Sequence, residues 1–359
     1  MLHDKKKTIM FYSGGWTVGG IEKVTVLLAN EMIARGWNVV VAFSVLQEER
    51  LLTELRKEVK VVCITSGKML RTCVLQNDVK IILNASVRTL FFKFWTLGLK
   101  VRLYRYIHNK PNVNGRIMAS VGLRRMFWVL CTKIALWGDW LLSEGVLLLS
   151  RRFEKALTDF LHVTTLSRLY VVTNPVSMKM IEIPKKENVI LYVGRLEENQ
   201  KKVSRIFKIW ETLCTMLPNY TLEIVGDGSM RSYYEHLTEN LPRVIFHGYR
   251  DPTRDYARAK CILMTSDFEG FGLVLVEAMA YGCIPIVLNT FEALEDIVED
   301  NVTGFCLKPP FEVNSFVCKI KMLVNNEGLR YQLACNAVES SKRFTTASAV
   351  NQLEDILGN

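Results

Sequence analysis

The sequence predicts an α/β protein made of two doubly wound parallel sheets that face each other. Its 359 residues exceed the size of a single typical core, which favours two domains. Short continuous apolar strands alternate with helix-length segments, as is typical of parallel sheets covered on both faces. The alternation restarts near residue 189. We therefore predict domains at 1–168 and 169–340, with a C-terminal helix at 341–359 that we expect to pack back on the first domain.

The first domain is predicted from its apolar runs and the turns between them. A buried strand at Thr8–Ser13 leads through a glycine-rich turn into an amphipathic helix at Ile21–Ala34, which Gly36 ends. Further strands are predicted at Asn38–Val45, Val59–Thr65, Lys80–Ala85 and Val101–His108.

The end of the first domain is less regular. A last element at Trp140–Glu144 precedes a helix near Arg152–Leu161. A strand is predicted at Tyr170–Val176, where Asn174-Pro175 is a turn signal, and the polar stretch Ser177–Asn188 is the predicted linker.

In the second domain, the strand Val189–Val193 and the helix Lys202–Leu217 start a new alternation. Strands are predicted at Tyr220–Val225, Arg243–His247, Cys261–Thr265, Ile284–Leu288 and Gly304–Leu307. Helices are predicted at Met230–Leu241, Asp251–Ala259, Gly272–Tyr281, Phe291–Val298 and from Phe311 onward.

The net charge of +10 comes entirely from the first half of the chain. Residues 1–150 hold 22 Lys/Arg against 10 Asp/Glu, a net +12, whereas residues 151–359 hold 24 against 26, a net −2. Residues 79–138 contain 11 basic residues and no acidic one. Such a field favours an anionic partner, which could be a membrane face, a phosphate-bearing lipid or a nucleic acid.

Cysteine usage and hydropathy indicate a cytoplasmic protein. The nine cysteines form no C-x-x-C pair and have no histidines clustered with them, as expected of small buried thiols in a reducing compartment. The apolar runs are shorter than the roughly 18 residues of a transmembrane helix, and no cleavable apolar core follows the charged N-terminus.

The segment Asp267–Ala280 carries the most specific chemical signal. Glu269 follows a predicted strand, at the edge where ligands bind in open α/β sheets. Gly270 and Gly272 allow close approach of the backbone, and a helix that begins near Gly272 directs free N–H groups toward a phosphate. Glu277 lies inside this apolar helix and needs a partner. The paired hydroxyls of a ribose are one such partner, and a cap or salt bridge within the core is the alternative.

These residues resemble a known family. The run E-G-F-G-L-V-L-V-E-A-M-A-Y-G-C-I-P-I-V, from Glu269 to Val287, is similar to the E-x7-E signature of the retaining glycosyltransferase family 4, which has the GT-B fold. Val193-Gly194-Arg195-Leu196 followed by Lys201 resembles the G-R-L…K phosphate loop of that family. The family usually has Lys-Gly here, whereas Lys201 is followed by Lys202. Which lysine reaches the phosphate therefore stays open, and spacing favours Lys201.

The resemblance covers roughly residues 165–310 and the opening 45 residues. Leu222–Gly228 and Val244–Gly248 resemble the next strands of the family, and Gly19-Gly20-Ile21-Glu22 resembles the entry to its first helix. It implies two Rossmann-like domains that face each other across a cleft, with a nucleotide-sugar donor as co-substrate and no cofactor.

The resemblance also implies a role for each site residue. Arg195 and Lys201, with Lys202 as the alternative, would neutralise the diphosphate leaving group. Glu269 would bind hydroxyls of the donor sugar, and Glu277 would hold the ribose. The backbone amides of Gly270, Phe271 and Gly272 would contact the sugar or its phosphate. These roles are physically coherent, because the cations and a helix N-terminus stabilise negative charge where it develops as the glycosidic bond breaks.

We expect the reaction to need no metal and to retain anomeric configuration. We identify no D-x-D or similar carboxylate pair in a plausible donor loop, and positive side chains can replace a metal. Retention in this family implies front-face attack, with the leaving phosphate assisting deprotonation of the acceptor. That scheme differs from the two-carboxylate scheme of hydrolases.

Three residues of the first domain complete the candidate site. His108 ends a predicted strand, where the family often places a histidine that faces the donor sugar; an ordinary loop histidine is the alternative. Gly19 and Gly20 lie beyond the first strand, where their backbone could face sugar and acceptor or form a plain tight turn. The remaining polar candidates are interpreted as structural: Asn174, Asp227 and His247.

Residues 88–137 interleave basic and aromatic side chains, a composition that suits an anionic bilayer interface. The basic residues are Arg88, Lys93, Lys100, Arg102, Arg105, Arg124, Arg125 and Lys133, and the aromatic ones are Phe91, Phe92, Phe94, Trp95, Tyr104, Phe127 and Trp128. We hypothesise peripheral contact with the inner face of the plasma membrane, where a lipid-linked acceptor would wait. Core aromatics with a solvated basic rim are the alternative. No nucleic-acid partner is expected, since no recognised binding module is present.

The sequence therefore predicts a retaining hexosyltransferase. It would transfer a sugar to a glycan or lipid-linked acceptor in the biosynthesis of lipopolysaccharide, another surface polysaccharide or a glycolipid. One alternative is a sugar-nucleotide epimerase of GT-B fold, which would need further acid–base carboxylates. The other is a non-catalytic binder of anionic surfaces, against which the intact charged motif argues. The nucleotide base, sugar, acceptor, linkage and oligomeric state stay open.

Overall fold

The computed structural model describes residues 7–17, 19–86, 89–108, 122–177 and 183–358, so Arg88 of the basic stretch lies outside the described residues. The chain divides into two compact units. One runs to Pro175 and takes in the segment from Thr346 onward, and the other is Val176–Thr345. The boundary lies after the predicted position at 168/169, because Leu169–Val171 adds a strand to the first sheet.

The first unit contains a seven-stranded sheet in the order β3-β2-β1-β4-β5-β6-β7, and every strand pair is parallel. Its strands are β1 (Thr8–Ser13), β2 (Asn38–Phe43), β3 (Lys60–Cys63), β4 (Val79–Asn84), β5 (Arg102–Ile107), β6 (Gly145–Leu148) and β7 (Leu169–Val171). Its helices are α1 (Gly20–Ala34), α2 (Gly67–Gln76), α3 (Thr89–Trp95), α4 (Gly122–Leu142) and α5 (Arg152–Leu161), with a 3-10 helix at Arg50–Glu54.

Two predicted elements of the first unit were wrong. The element predicted at Trp140–Glu144 is the end of α4, a helix of 21 residues, and the strand follows it at Gly145–Leu148. The strand predicted at Tyr170–Val176 is only the three-residue β7. Because β7 pairs with β6 alone, it is an edge strand of the sheet, and no further ladder extends it toward Asn174.

The second unit contains a six-stranded sheet in the order β10-β9-β8-β11-β12-β13, again with every pair parallel. Its strands are β8 (Val189–Val193), β9 (Thr221–Val225), β10 (Val244–Gly248), β11 (Cys261–Met264), β12 (Ile284–Leu288) and β13 (Phe305–Leu307). Its helices are α6 (Ser204–Leu213), α7 (Arg231–Leu237), α8 (Thr253–Arg258), α9 (Leu273–Ala280), α10 (Leu294–Ile297), α11 (Val313–Asn325) and α12 (Glu327–Ser341), with a 3-10 helix at Lys342–Phe344.

The strands read as continuous apolar runs because helices cover both faces of each sheet. Every residue of β1, β11 and β12 is buried. In the second unit the core joins the sheet to α6, α11 and α12, through side chains such as Trp210, Phe316 and Leu333. This arrangement confirms the predicted pair of parallel-sheet, Rossmann-like halves.

Each sheet has one point at which the strand order reverses. In the first unit it lies between β1 and β4, and in the second between β8 and β11. Loops that leave neighbouring strands at such a point run to opposite faces of the sheet and leave a crevice at the carboxyl ends of the strands, where ligands bind. The loops after β1, β4, β8 and β11 are therefore the candidate site loops.

The last helix, α13 (Thr346–Gly358), belongs to the first unit and contacts α1. The Glu354 carboxylate accepts hydrogen bonds from Arg35 Nη1 at 2.7 Å and from Trp37 Nε1 at 2.8 Å. Asn351 accepts a second hydrogen bond from Arg35. The chain therefore returns to its first unit after completing the second.

Glycines let the loop after β8 lie directly against the loop after β9. The Gly194 N–H donates to the Val225 carbonyl at 3.0 Å, and the Leu196 N–H donates to the Asp227 carbonyl at 2.9 Å. A Cβ at Gly226, whose φ is 139°, would lie 1.9 Å from the Gly194 carbonyl oxygen. One at Gly228 would lie 2.4 Å from the Leu196 carbonyl oxygen. Only glycine fits at either position.

Among the helices of the described ranges, none combines the length and the apolar character needed to cross a bilayer.

Candidate functional site

The second unit brings three of the predicted charged residues to its switch point. Arg195 and Lys201 lie on the loop after β8, and Glu269 lies on the loop after β11. Because β8 and β11 are neighbours in the sheet, their carboxyl ends place the two loops side by side.

An ion pair joins the two loops. Lys201 Nζ lies 2.7 Å from Glu269 Oε1, and the same oxygen accepts a hydrogen bond from Ser266 Oγ at 2.6 Å. Glu269 is only 7% exposed, so its charge needs these partners in place of water. An ammonium has three donors, which leaves Lys201 able to hold Glu269 and contact a further anion at once.

Arg195 is the most exposed charged residue of the loop, with 69% of its side chain accessible. Its guanidinium lies 3.2 Å from Glu197 Oε1 and donates to Gln200 Oε1 at 3.2 Å. The Tyr192 hydroxyl donates to the Arg195 carbonyl at 3.0 Å. Burial raises the pKa of Tyr192 well above its usual value, so this hydroxyl remains a donor. The backbone of Arg195 is therefore fixed while its guanidinium stays available to solvent.

Lys202 turns to different partners than Lys201. Its Nζ lies 3.6 Å from Asp267 Oδ2, and Asp267 also accepts a hydrogen bond from Arg205 at 2.6 Å. The backbone of Lys202 has φ 51°, in the left-handed region that favours glycine. This is the position at which the family usually has glycine, so the sequence departure noted above falls on a strained residue. The geometry brings Lys201, and not Lys202, to Glu269.

Asp267 and Glu269 form a carboxylate pair separated by one residue, which the sequence interpretation passed over. Each carboxylate already has cationic partners. Asp267 contacts Arg205 and Lys202, and Glu269 contacts Lys201. Both carboxylates are therefore engaged in ion pairs with side chains.

Glu277 is buried on α9 and accepts a hydrogen bond from the Tyr256 hydroxyl at 2.9 Å. Burial, followed by the neighbouring Glu277 carboxylate, raises the pKa of Tyr256, which keeps the phenol a donor. A hydrogen-bond partner on α8 thus accounts for part of the acceptor capacity of Glu277. A carboxylate accepts about four hydrogen bonds, so the Tyr256 contact alone does not exhaust it.

The segment Gly270–Gly272 forms the turn into α9. Gly272 precedes the helix with φ 89°, and a Cβ there would lie 3.2 Å from the Phe291 ring. The Phe271 ring is buried and packs edge-on against Phe344 at 5.8 Å between centroids. The Phe271 side chain therefore anchors the turn, and the predicted contact of the Gly270, Phe271 and Gly272 amides with a ligand stays a prediction.

In the first unit, Gly19 and Gly20 form the entry to α1 after β1. Glu22 holds this entry, since its carboxylate accepts hydrogen bonds from the backbone N–H groups of Thr17 and Gly19. That contact is the reciprocal half of a capping box. Burial raises the pKa of Glu22. The buried Glu22 side chain therefore holds the turn into α1 in place. The sequence interpretation named Glu22 only as part of a motif.

His108 follows β5 in the first unit and is buried against Tyr106, with ring centroids 4.1 Å apart. Burial and the nearby Arg105 lower the pKa of His108 to about 3, against a hydrogen bond with Asn174 that raises it. His108 is thus a neutral imidazole at physiological pH. It carries no charge, and a neutral imidazole has one donor and one acceptor nitrogen.

Arg105 does not belong to a basic surface. Its Nε lies 2.9 Å from Asp139 Oδ2, and its Nη1 donates to the carbonyls of Asn84 and Tyr106 at 2.9 and 2.7 Å. Thr89 donates to the other Asp139 oxygen. This part of the membrane hypothesis was wrong, because a buried carboxylate 34 residues away neutralises the arginine.

The rest of the basic and aromatic stretch divides between core and surface. Phe92 and Tyr104 are buried, and Arg102 donates to the Leu357 carbonyl on α13. On α4, Arg124 and Arg125 are exposed, as are apolar side chains that recur at helical spacing. The exposed apolar side chains of α3 and α4 and the residue Leu97 form what we call the apolar stripe: Leu90, Phe94, Leu97, Leu123, Met126, Phe127, Leu130, Ile134 and Leu141.

His247 is not simply a packed core residue. Its Nε2 lies 2.6 Å from Glu223 Oε2, and Glu223 and Asp255 both contact Arg258. Glu223, His247 and Asp255 are close enough to share a metal ion. Arg250 also holds Asp255 through two hydrogen bonds, so arginines contact both Asp255 oxygens and Oε2 of Glu223.

Gln200, Ser266 and Tyr256 are the contacts of the site that the sequence interpretation missed. Each touches a predicted charged residue, namely Arg195, Glu269 or Glu277. Two of these contacts are local, since Ser266 precedes Glu269 by three residues and Gln200 follows Arg195 by five. Gln200 meets Glu269, and Tyr256 meets Glu277, only through the fold.

We expect Lys202→Gly to raise the melting temperature slightly. A non-glycine residue in the left-handed region costs about 1–3 kcal/mol, and the greater freedom of glycine in the unfolded chain returns about 0.4–1 kcal/mol of that. The ion contact that is lost is partly exposed and worth little. Lys202→Ala removes the same charge but keeps the strain, so it should not raise the melting temperature. Equal shifts in both variants would show that charge and not backbone strain matters at this position.

We expect His108 to make stability fall as pH drops from about 6.5 toward 3. The folded protein keeps His108 neutral down to a pKa of about 3, while the unfolded chain protonates near its ordinary value, so protons favour unfolding in this window. The melting temperature of His108→Gln should fall less than that of the wild type between pH 7 and pH 4.5. The exposed His236→Gln serves as control. A wild-type curve parallel to that of His108→Gln would refute the buried neutral state.

Comparison with known proteins identifies similar sequences and similar structures. Residues 174–340 match the family model described as glycosyl transferases group 1. A lipopolysaccharide 1,6-galactosyltransferase of Salmonella typhimurium is 33% identical over 175 residues, which cover 45% of this chain and 47% of that protein. The chain thus spans about half the length of this curated relative.

Solved structures match over nearly the whole chain. The apo lipopolysaccharide outer core galactosyltransferase WaaB aligns with a TM-score of 0.75 at 19% identity, covering 98% of this chain and 99% of that one. Anabaena HepE in complex with UDP-glucose aligns with a TM-score of 0.77 at 19% identity, with the same coverage. The chain therefore has the GT-B fold, with the glycosyl transferases group 1 match in its second unit.

Proposed function

We propose that the protein is a retaining, family 4 hexosyltransferase that uses a nucleotide-sugar donor and builds lipopolysaccharide or a related surface glycan. The observation that carries the proposal is the Lys201–Glu269 ion pair at the switch point of the second unit, with Arg195 on the same loop as Lys201. The similar galactosyltransferase of Salmonella and the UDP-glucose complex of HepE support a nucleotide-sugar donor and a glycan or lipid-linked acceptor.

Lys201 and Arg195 would stabilise the leaving nucleoside diphosphate. Negative charge grows on the diphosphate as the bond to the anomeric carbon breaks, and fixed cations lower the energy of that state more than of the ground state. Lys201 is already held by Glu269, so little reorganisation is needed when charge develops. Arg195 is exposed, and its guanidinium would form charge-assisted hydrogen bonds with the diphosphate.

Glu269 would recognise the donor sugar and Glu277 its ribose. Ser266 and Lys201 occupy Oε1 of Glu269, which leaves Oε2 with acceptor capacity for a sugar hydroxyl. Tyr256 orients the Glu277 carboxylate from α8. The backbone N–H groups that start α9, after Gly270–Gly272, would contact the sugar or its phosphate.

We propose retention and metal independence, and the charges around Glu269 support both. We identify no carboxylate without a cationic partner beside Glu269 that could serve as a covalent nucleophile, within the part of the site that the structure describes. Front-face attack with the leaving phosphate as base would then be the route. Asp267, the other carboxylate of this loop, is bound to Arg205 and Lys202 and would not hold a metal.

We expect Arg195→Ala and Glu269→Ala each to lower turnover by a large factor. Losing one stabilising contact to a developing charge costs about 2–4 kcal/mol. Turnover is measured as acceptor-dependent release of UDP or GDP from a panel of nucleotide sugars. Lys208→Ala and Glu211→Ala, exposed charge deletions on α6, are matched controls. Near-normal turnover in both site variants would remove the roles proposed for these residues. If none of the nucleotide sugars in the panel gives acceptor-dependent release of UDP or GDP, that result would count against the transferase activity itself.

We also propose that the first unit docks on the cytoplasmic face of an anionic membrane through the apolar stripe. Its apolar residues project from α3 and α4, which pack against each other. Arg124 and Arg125 lie beside Leu123 and Met126, and Lys93 and Lys100 flank Phe94 and Leu97 in sequence. Apolar side chains that enter the interface next to cations that meet lipid phosphates are typical of peripheral docking helices.

We expect the wild type to sediment with liposomes that contain anionic lipid, and less at high salt. Leu123→Ser combined with Phe127→Ser removes apolar contacts and should abolish vesicle binding at any salt concentration. Arg124→Glu combined with Arg125→Glu removes the attraction to lipid phosphates and should abolish mainly the binding to anionic vesicles. Met322→Ser combined with Tyr331→Ser removes exposed apolar side chains of the second unit and should change nothing. Failure of the wild type to bind anionic vesicles at low salt would refute the docking.

A further inference from the structure

We infer that Gln200 is a positioning residue that sets the relative orientation of Arg195 and Glu269 for the transfer reaction. The inference rests on the proposed function and adds a residue to its machinery. Gln200 Oε1 accepts a hydrogen bond from Arg195 Nη2 at 3.2 Å. Its Nε2 donates to the Phe268 carbonyl at 3.0 Å and to Glu269 Oε2 at 3.3 Å. One amide thus contacts the cation for the diphosphate and the carboxylate for the sugar.

The chemistry of a primary amide suits this double contact. A carboxamide offers an acceptor at one edge and two donors at the other, without a charge of its own. Both Nε2 hydrogens have acceptors here, and Oε1 faces the guanidinium. A glutamate could accept from Arg195 but not donate to Glu269, and a lysine could do only the reverse. Among side chains of this length, only glutamine satisfies both partners.

Gln200 also connects the loops through its backbone. The Asp267 N–H donates to the Gln200 carbonyl at 2.9 Å, which ties the loop after β8 to the loop after β11 directly below the amide. The side chain is half-buried, so it is held on a fixed base and not free to rotate in solvent. The position of the loop after β8 therefore fixes, through Gln200, the position of Glu269 on the loop after β11.

The two Glu269 oxygens have different tasks in this arrangement. Oε1 accepts hydrogen bonds from Lys201 and Ser266, and Oε2 accepts one from Gln200. Oε2 is therefore the oxygen left for a sugar hydroxyl, and Gln200 fixes the plane in which it presents its lone pairs. Without Gln200, Arg195 would retain Glu197 as its neighbour and turn away from Glu269.

The test compares Gln200→Ala and Gln200→Glu with Asn199→Asp, a charge-adding change at the exposed neighbouring position. In Gln200→Ala we expect kcat to fall about 10-fold at every pH, since small misplacements of reacting groups carry costs of this order. In Gln200→Glu the new carboxylate faces that of Glu269. Turnover relative to wild type should be lost above pH 7, because the two negative charges repel each other. It should recover at pH 5.5, because the two carboxylates then share a proton that restores a hydrogen-bond donor. Asn199→Asp should behave as wild type at both values.

Binding of UDP and GDP, measured by calorimetry on the same proteins, separates the two levels of the proposal. Wild-type turnover together with near-normal kcat in both Gln200 variants would overturn the role of Gln200 alone. Equal, pH-independent losses in Gln200→Glu and Gln200→Ala would also overturn it, because they would indicate only a structural effect. A wild type that neither binds a nucleoside diphosphate nor releases one from any donor would refute the proposed function, and the inference with it.

Discussion

The ion pair between Lys201 and Glu269 is the contact on which the candidate site depends. It joins loops that are far apart in sequence, and it does so where the strand order of the second sheet reverses. Glu269 is nearly buried, and removing the partner of a buried charge typically costs about 3–5 kcal/mol. The ammonium therefore holds the carboxylate in the crevice. Arg195, Gln200 and Ser266 add hydrogen bonds around this ion pair.

The sequence predicted the site residues that belong to a local pattern. Glu269 follows a strand, so the rule that ligands bind at the carboxyl ends of parallel strands pointed to it, whereas Arg195 was predicted from the resemblance to a family phosphate loop. Gln200 and Tyr256 could not be found this way, because they meet their partners across 69 and 21 positions of the chain. The sequence showed that Lys202 replaces a glycine, but it raised only the question of which lysine contacts the phosphate. The structure shows that this lysine has a left-handed backbone conformation, which costs stability.

In the first unit the strands were predictable and the surface was not. Continuous apolar runs located β1, β2, β4 and β5 because both sheet faces are covered. Helix α4 was missed because an amphipathic helix with one open apolar face has a composition close to that of a buried segment. Arg105 was assigned to the surface for the opposite reason. A basic residue in a basic stretch gives no sign of the distant Asp139 that neutralises it.

The two glycines after β9 have a consequence for how this protein can change over time. Gly226 and Gly228 leave no room for a methyl group against the carbonyls of Gly194 and Leu196. Any side chain there would push outward the loop that carries the guanidinium, without touching a charged residue itself. Substitutions elsewhere can change the side chains of this loop, whereas a substitution at these two positions would break the backbone contact between the loops. Such a replacement would displace the guanidinium while leaving every charged residue of the candidate site in the chain.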